Sequence, residues 1–351
     1  MGSVRARIRS GAVATLAGVL TAGIAVGAAP RAVLVVGDGL NEPFAVDFGP
    51  EGDMFVAEMG GNRVSVLDTK GVLRVLAGTG AKGFSEGEVP GVSALLNGPH
   101  HLLVGPDGGV YVADTWNSCV RRIDPTTGRI RVYAGTGEKG FAGDGGPAGG
   151  ARFGGLFNIA FRGNVLFACD LDNRRVRAID LATGIVTTVA GNGEKGVPVD
   201  GADALRQPLV DPRAIALDAA GNLYICERGG HALRVVDTAG RIRTVAGTGE
   251  AGFSGDGGPA RAARLNGPKH IFAEASGDVL ITDTENHVIR RYSPRDGTIR
   301  RVAGTGAKGA AGLGGPALDC QLDRPHGAQV HPLSGAIYVS DSGNHRVIRV
   351  E

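Results

Sequence analysis

Cysteine is scarce in this chain, with 4 residues in 351. No close pair of cysteines occurs, so the sequence offers neither a zinc knuckle nor a Cys-x-x-Cys-His haem-attachment site. Cys169 and Cys226 occupy equivalent places in two successive repeats, where other repeats carry Ala, Thr or Ser. We therefore interpret them as small buried side chains and not as parts of a disulfide framework.

An excess of positive charge is also missing. The chain has 37 Lys and Arg against 35 Asp and Glu, a net charge of +2. Residues 1–28 contain three arginines and no acid, so without them the net charge is 2 − 3 = −1. The Arg-Arg pairs at 121–122, 174–175 and 290–291 recur with the repeat, and we interpret them as alternating exposed strand positions paired with neighbouring acids. Because nucleic acid requires clustered, uncompensated Lys and Arg, we expect no nucleic-acid partner.

Large aromatic residues and ligand motifs are likewise rare. Tryptophan occurs once, so packing must depend on Val, Ile, Leu and Ala, while the 60 glycines suit many tight turns. The Gly-rich segments 140–147 and 252–259 have neither the EF-hand ligand spacing nor a following Gly-Lys-Ser/Thr. We interpret them as long loops.

What the chain does have is a repeat. Its six anchors are spaced 56 or 57 residues apart, and 14 to 16 residues after each anchor an acid closes a short apolar run. The anchors are Pro43, Pro99, Leu156, Pro212, Pro268 and Pro325, and the acids are Glu58, Asp114, Asp170, Glu227, Asp283 and Asp341. A fixed period of this length indicates one supersecondary unit that must pack on its neighbours.

Each unit predicts four short antiparallel strands, for example 212–217, 222–226, 232–236 and 242–246. The sixth unit ends with the chain after its third strand, and the missing strand is present near the N-terminus, at 33–39. An N-terminal strand that completes the last unit closes a circle and removes open sheet edges. The sequence therefore predicts an all-β, six-bladed β-propeller with four antiparallel strands per blade.

The repeats resemble those of the NHL family. Residues 111–117 (Tyr-Val-Ala-Asp-Thr-Trp-Asn) and 338–346 (Tyr-Val-Ser-Asp-Ser-Gly-Asn-His-Arg) carry the resemblance, together with the Val-Ala-Gly-Thr-Gly in which fourth strands end. The resemblance covers residues 33–351 and implies the propeller fold. It does not choose a function, because NHL propellers include peptide-amidating lyases, receptor ectodomains, RNA binders and interaction platforms.

The N-terminus is separate from the repeats. Arg5, Arg7 and Arg9 precede a mildly apolar stretch at 11–27, and small residues follow at 26–28. This pattern is typical of a secretory signal peptide, although an uncleaved anchor helix is the alternative. We expect residues 1–28 to be a signal peptide cleaved before Ala29, and 29–351 to be a single NHL-type propeller domain. The mature protein would then be secreted or periplasmic, without a transmembrane helix, and we expect a monomer.

The residue after each anchor begins the innermost strand, so these positions should surround one mouth of the central channel. They are Phe44, His100, Phe157, Arg213, Lys269 and His326, and the next positions are Ala45, His101, Asn158, Ala214, His270 and Gly327. Four of the eight histidines fall at these two levels. We expect His100, Asn158, Arg213, Lys269 and His326 to bind a ligand. The side chains at the mouth should be partly exposed on one face, and the histidines should have lowered pKa values beside two cations.

Two enzyme alternatives follow from resemblances. In peptide-amidating lyases, Pro-His pairs on alternate inner strands supply a zinc site, and residues 99–100 and 325–326 match that pattern. The third position carries Arg213, which cannot ligate a metal. His101 and His270 should not replace it, because successive strand residues point to opposite faces. Lactonase-like propellers use an inner-strand acid with Asn and Asp around a divalent cation, which Glu42, Asn158 and Asp341 weakly resemble.

The interpretation favoured by the sequence is therefore an exported binding module. Its loop-rich channel face would contact a protein, peptide or glycan ligand, with no cofactor. The alternative is a metal-dependent enzyme at the channel mouth. No catalytic residue is assigned, because one sequence does not give the geometry by which catalytic triads are recognised.

Overall fold

The strand pattern folds as the period predicts. The computed structural model describes residues 29–351, and within them six antiparallel sheets of four main strands form a six-bladed propeller. Each inner strand packs against the inner strands of both neighbouring blades, including blade 6 against blade 1. The sequence-based fold class is thus confirmed.

Each blade begins with an inner strand at the channel, and its remaining strands follow outwards. Blade 1 has Pro43–Phe48, Met54–Glu58, Arg63–Leu67 and Leu73–Ala77; blade 2 has Pro99–Val104, Val110–Asp114, Cys119–Asp124 and Arg129–Ala134; blade 3 has Leu156–Arg162, Val165–Asp170, Arg175–Asp180 and Val186–Ala190. Blade 4 has Pro212–Leu217, Leu223–Glu227, Ala232–Val236 and Arg241–Ala246; blade 5 has His270–Ala273, Val279–Asp283, Val288–Ser293 and Thr298–Ala303; blade 6 has Gly327–Val330, Ile337–Asp341, Arg346–Val350 and Ala32–Val36. Two short edge strands, Glu88–Pro90 and Ala202–Asp203, extend blades 2 and 4.

Helical structure in the described residues is limited to single 3-10 turns. They span Gly91–Ser93, Thr115–Asn117, Ala148–Gly150, Ala204–Arg206, Ala260–Ala262, Thr284–Asn286, Ala317–Asp319 and Ser342–Asn344. No helix within residues 29–351 has the length and apolar character that crossing a membrane requires. The predicted signal peptide lies outside the described residues.

The N-terminal strand closes the ring as predicted. Ala32–Val36 pairs antiparallel with Arg346–Val350, with Ala32 opposite Val350 and Leu34 opposite Ile348. The strand ends at Val36 and not at residue 39, because a turn follows in which Gly39 adopts a φ of 90°. The closing strand also contacts the preceding inter-blade loop, since Gly314 N–H donates to the Ala32 carbonyl.

The hydrophobic core lies between blades. Six clusters of buried residues occur, one at each interface from blades 1 and 2 round to blades 6 and 1. They consist mainly of Val, Ile, Leu and Ala, with Phe153 and Leu96 among the largest fully buried side chains. Cys169 and Cys226 are fully buried and not disulfide-bonded, as expected for small core residues. Burial of apolar surface at every interface stabilises the ring as a whole.

The recurrent acids form the scaffold that holds the loops. In blade 2, Asp114 accepts the Asn97 backbone N–H at 2.8 Å, the Asn117 side-chain amide at 2.8 Å and Arg121 Nε at 3.0 Å. Equivalent acid–arginine pairs occur in the other five blades. Arg121 and Arg290 are fully buried, so these arginines are paired as expected but not exposed. The neighbouring Arg122 and Arg291 are partly exposed and pair with Asp107 and Glu274.

Candidate binding site at the channel mouth

In four of the six blades the residue after the anchor occupies a β-bulge. In blades 1 to 4 the register of the inner strand shifts at this residue, which is Phe44, His100, Phe157 or Arg213. A bulge inserts one residue without a partner and redirects its side chain. The local sequence thus turns these side chains towards the channel axis, on the face that carries the long inter-blade loops.

The side chains meet as the sequence predicts. Phe44 stacks on the His326 ring at 3.7 Å between centroids, and it meets the His100 ring edge-on at 5.1 Å between centroids. His100 packs against Phe157 at 4.8 Å, and the Arg213 guanidinium lies 4.2 Å from the centre of the Phe157 ring. These contacts, together with Lys269, define what we call the mouth ring: Phe44, His100, Phe157, Arg213, Lys269 and His326.

The mouth ring is more buried than expected. Its four polar members are 4 to 9% exposed, not partly open. The physical reason is that Phe44 and Phe157 fill the space between them, so the six side chains close the channel. Two depressions flank the ring on the same face: one of about 300 Å³ beside Asp211 and Arg228, and one of about 250 Å³ beside Phe44 and His326.

Backbone carbonyls determine the tautomers of the two ring histidines. His100 Nδ1 lies 2.7 Å from the Gly98 carbonyl and His326 Nδ1 lies 2.9 Å from the Arg324 carbonyl. Because a carbonyl only accepts, Nδ1 carries the proton and Nε2 is the acceptor in the neutral ring. Burial lowers the pKa of both histidines well below the usual value, and Arg213 and Lys269 lower it further. Both are therefore neutral at pH 7, as expected.

The two cations of the ring differ in how their charge is balanced. Lys269 Nζ donates to Glu285 Oε1 at 2.7 Å and lies 3.4 Å from His326 Nε2. Arg213, 4% exposed, forms no salt bridge within the described residues, and its buried Nε has no hydrogen-bond partner. Its nearest acceptor is the Phe157 carbonyl, 3.5 Å from one terminal nitrogen. Burial lowers the pKa of Arg213 to about 9, so the guanidinium remains charged at pH 7.

Asn158 lies one level deeper, in a layer that supports the scaffold. Its Oδ1 accepts the Ile215 N–H at 3.0 Å, which satisfies an inner-strand edge that faces the channel. Likewise, His101 Nδ1 accepts the Ile159 N–H at 3.5 Å, and His270 Nδ1 accepts the Ala328 N–H at 3.4 Å. Asn158 therefore lies beneath the mouth ring instead of beside its charged groups.

The expectation that His101 and His270 point away from the channel is wrong. Their Nε2 atoms lie 3.0 Å apart, and since blades 2 and 5 are opposite in the ring, the pair spans the channel. In blade 2 the bulge at His100 breaks the alternation of side chains, so His100 and His101 can both face the axis. In blade 5 the inner strand begins only at His270, so Lys269 precedes the regular alternation. Histidine at the second position of two repeats that are three repeats apart was the available sequence signal.

A three-histidine metal site does not fit this geometry. Within residues 29–351, no three His, Cys, Asp or Glu side chains converge so that they could hold a metal ion. Zinc requires ligands at about 2.0–2.1 Å, and the third position of the lyase-like pattern is the guanidinium of Arg213. We derive no chemical step through a metal.

The buried histidines make the stability of the domain sensitive to acid. Burial lowers the pKa of His270 to about 3, against about 6.5 in an unfolded chain. Between these two pH values the unfolded state therefore binds more protons than the folded state. As the pH is lowered through this range, the unfolding free energy decreases by about 1.4 kcal/mol per pH unit. Asp47, Asp170 and Asp283, whose pKa burial raises to about 6, oppose this trend below pH 6.

We expect His270→Gln to remove about 2 kcal/mol of the stability lost between pH 7.5 and pH 5, measured by urea unfolding at both values. His345→Gln, at an exposed histidine, is the control and should leave the pH dependence of the wild type unchanged. Equal pH dependence in the His270→Gln variant and the wild type would contradict a buried, neutral His270.

Comparison with known proteins agrees with the repeat and the ring. The sequence profile of the teneurin NHL domain matches residues 85–254. The chain belongs to the NHL-repeat β-propellers. NHL repeat-containing protein 2 of Gallus gallus is 28% identical over 225 residues, which cover 56% of the present chain and 31% of that protein. The chloroplastic protein SUPPRESSOR OF QUENCHING 1 of Arabidopsis thaliana is 33% identical over 166 residues, which cover 44% of the present chain and 16% of that protein.

The matched segments thus span less than a third of the length of these curated relatives. Solved structures share its fold at low identity. An auxiliary nutrient binding protein from Bacteroides ovatus has a TM-score of 0.64 and 16% identity, with 89% of the present chain and 69% of that chain covered. A gluconolactonase from Xanthomonas campestris has a TM-score of 0.59 and 10% identity, with 92% and 89% covered. Similarity at this level concerns the fold alone.

Proposed function

We propose that this NHL propeller is a binding module whose loop-rich channel face takes a carboxylate of a protein or peptide partner. The observation that carries the proposal is Arg213, a buried guanidinium without an acidic partner. A buried charge without a counter-charge costs several kcal/mol. A ligand anion is the simplest group that would compensate this cost.

The ring supplies further groups that suit such a ligand. Arginine binds carboxylates through paired N–H donors, and these charge-assisted hydrogen bonds are about twice as strong as neutral ones. The acceptor Nε2 of His100 is made available by the bond from Nδ1 to Gly98, so a ligand N–H or O–H beside the carboxylate would also be satisfied. The mouth ring therefore fits a group with both acceptors and donors.

The rim favours a protein or peptide. Trp116 is 53% exposed on the loop face, and its ring centre lies 5.4 Å from that of His100 and 5.3 Å from that of Phe157. Tryptophan and arginine are among the residue types enriched at binding hot spots between proteins. The two flanking depressions would accommodate neighbouring residues of the partner. A glycan that carries a carboxylate could bind through the same groups. The titration described below compares peptides with such a glycan and so distinguishes the two classes of ligand.

The shared fold does not choose between binding and catalysis, since both a nutrient binding protein and a gluconolactonase have it. Binding is supported by the uncompensated charge at the mouth, whereas a metal-dependent enzyme would need ligands that do not converge within residues 29–351. We also propose that the chain is exported, on the basis of the N-terminal sequence pattern of residues 1–28.

Replacement of Arg213 should separate function from stability. We expect Arg213→Met to keep or raise the unfolding free energy, by about 1–3 kcal/mol, because it removes an unpaired buried charge. The same variant should lose the preference for carboxylates. The measurement is a titration of residues 29–351 with random decapeptides that have a free or an amidated C-terminus, and with uronic-acid oligosaccharides. The wild type should prefer the free acid by about tenfold.

Arg129→Met is the control, because Arg129 lies on the outer strand of blade 2, away from the mouth ring, and its exposed side chain pairs with Glu88 at 2.7 Å. It should bind as the wild type does. The proposal fails if Arg213→Met strongly destabilises the fold while ligand preference is unchanged. If only the oligosaccharide binds, the anion site at Arg213 is supported, but the partner is a glycan and not a protein or peptide.

A further inference from the structure

The channel ends, on the face opposite the mouth ring, in an open apolar cavity of about 190 Å³. His101 and His270 lie at its inner end, and its walls include Leu103, Phe161, Leu217, Phe272 and Ala273. Those five wall residues are partly exposed, so the cavity is open to solvent at its outer end. An apolar cavity of about 150 Å³ is enough to hold benzene.

One acid without a cationic partner is hydrogen-bonded to two residues that line this cavity. Asp47, on the inner strand of blade 1, accepts the Val104 N–H at 2.7 Å and the Gln329 side-chain amide at 2.9 Å. Val104 and Gln329 both line the cavity. Across residues 29–351 no Lys, Arg or His pairs with Asp47, whereas each of the six repeat acids binds an arginine.

The surroundings of Asp47 are those of a carboxylate in a concave apolar space. Its side chain retains some exposure, yet burial raises its pKa to about 6, and only hydrogen bonds from Val104, Phe48 and Gln329 oppose that rise. The carboxylate is therefore reachable, largely desolvated and still mainly charged at pH 7.5. A cation placed beside it would restore the lost solvation.

The occupant must complement one carboxylate and an apolar wall. A divalent metal ion needs several oxygen ligands, and Asp47 offers a single carboxylate. An ammonium group can pair with the carboxylate and donate to the Gln329 amide oxygen, while an attached ring or short alkyl chain lies against Leu103 and Phe272. We propose that this lower channel cavity binds a small organic cation, an ammonium on a body of about one ring.

The site is separate from the mouth ring in place and in charge. The mouth ring presents cations to an anion, whereas the lower cavity presents an anion to a cation. Failure of one proposal therefore leaves the other standing, since an anionic peptide and an organic ammonium test different residues.

Benzylammonium is a suitable probe, with benzyl alcohol as its neutral counterpart and benzoate as the anion. In titrations of residues 29–351 at pH 7.5, followed by NMR shifts of the Val104 and Phe272 amides, we expect benzylammonium to bind about tenfold tighter than benzyl alcohol. Asp47→Asn should reduce that ratio to about one, because Asn keeps an acceptor for the Val104 N–H but has no charge. Benzoate should not bind there.

Asp107→Asn is the matched control, since Asp107 is a more exposed acid that pairs with Arg122 and should leave the ratio unchanged. Ala273→Phe, which fills the cavity, should abolish binding of both probes and keeps the test valid if Asp47→Asn folds poorly. The proposal is overturned if benzylammonium shows no saturable binding below about 10 mM, or if its preference survives in Asp47→Asn.

Discussion

A chain that starts at Leu40 is expected to lose cooperative thermal unfolding or to aggregate. The deletion removes Ala32–Val36, whose pairing with Arg346–Val350 closes the ring. It exposes the edge of the third strand in blade 6 and uncovers Ala317 and Ile348, which lie in the cluster that contains the fully buried Ala32. An open sheet edge is a template for association between chains.

The comparison is with a chain that starts at Ala29, which retains the strand and should melt in one cooperative transition. Two point variants of the strand refine the test. Ala32→Asp places a charge in the core and should destabilise strongly, whereas Leu34→Asp, at a side chain 50% exposed, should change little. A chain from Leu40 that melts like the chain from Ala29 would refute closure by the N-terminal strand.

Asp114→Ala is expected to lower the unfolding free energy by about 3–5 kcal/mol. The acid and Arg121 are 0 and 1% exposed, so the substitution leaves a buried guanidinium without its counter-charge. It also removes the acceptor for the Asn97 N–H, which holds the loop that leads to the mouth ring. Urea unfolding at pH 7.5 measures the loss.

Asp107→Ala is the control for the Asp114 variant. Its ion pair with Arg122 has side chains 42 and 20% exposed, and exposed pairs contribute about 1 kcal/mol or less. A double substitution, Asp114→Ala with Arg121→Met, should be less destabilising than Asp114→Ala alone, because no unpaired charge remains. If Asp114→Ala cost no more than Asp107→Ala, the repeat acids would not be the scaffold that holds the loops.

The fold could be predicted because its determinants recur. The anchors from Pro43 to Pro325 repeat a pattern that would be a weak signal in a single blade. The fourth strand of blade 6, which is absent after Val350, is found at 32–36. The membership of the mouth ring followed from the same period. Position within a repeat is a property of the sequence, so six equivalent residues could be placed around one axis before any coordinate was known.

The chemistry of the site depends on contacts that no period encodes. Lys269 forms an ion pair with Glu285, whereas Arg213 has no acidic partner. This difference depends on which side chains the folded ring brings together. The His101–His270 pair joins residues 169 positions apart, and the bond from Gln329 to Asp47 joins residues 282 positions apart. The bulges that turn the ring side chains inward are likewise invisible in an alternating strand pattern.

The central claim is that the mouth ring accepts an anion at Arg213. Its most direct test is a crystal structure of residues 29–351 grown with a peptide that has a free C-terminal carboxylate. We predict that the carboxylate oxygens lie at hydrogen-bond distance, about 2.7–2.9 Å, from Arg213 nitrogens including Nε. A peptide bound elsewhere, with Arg213 Nε still without an acceptor, would contradict the claim.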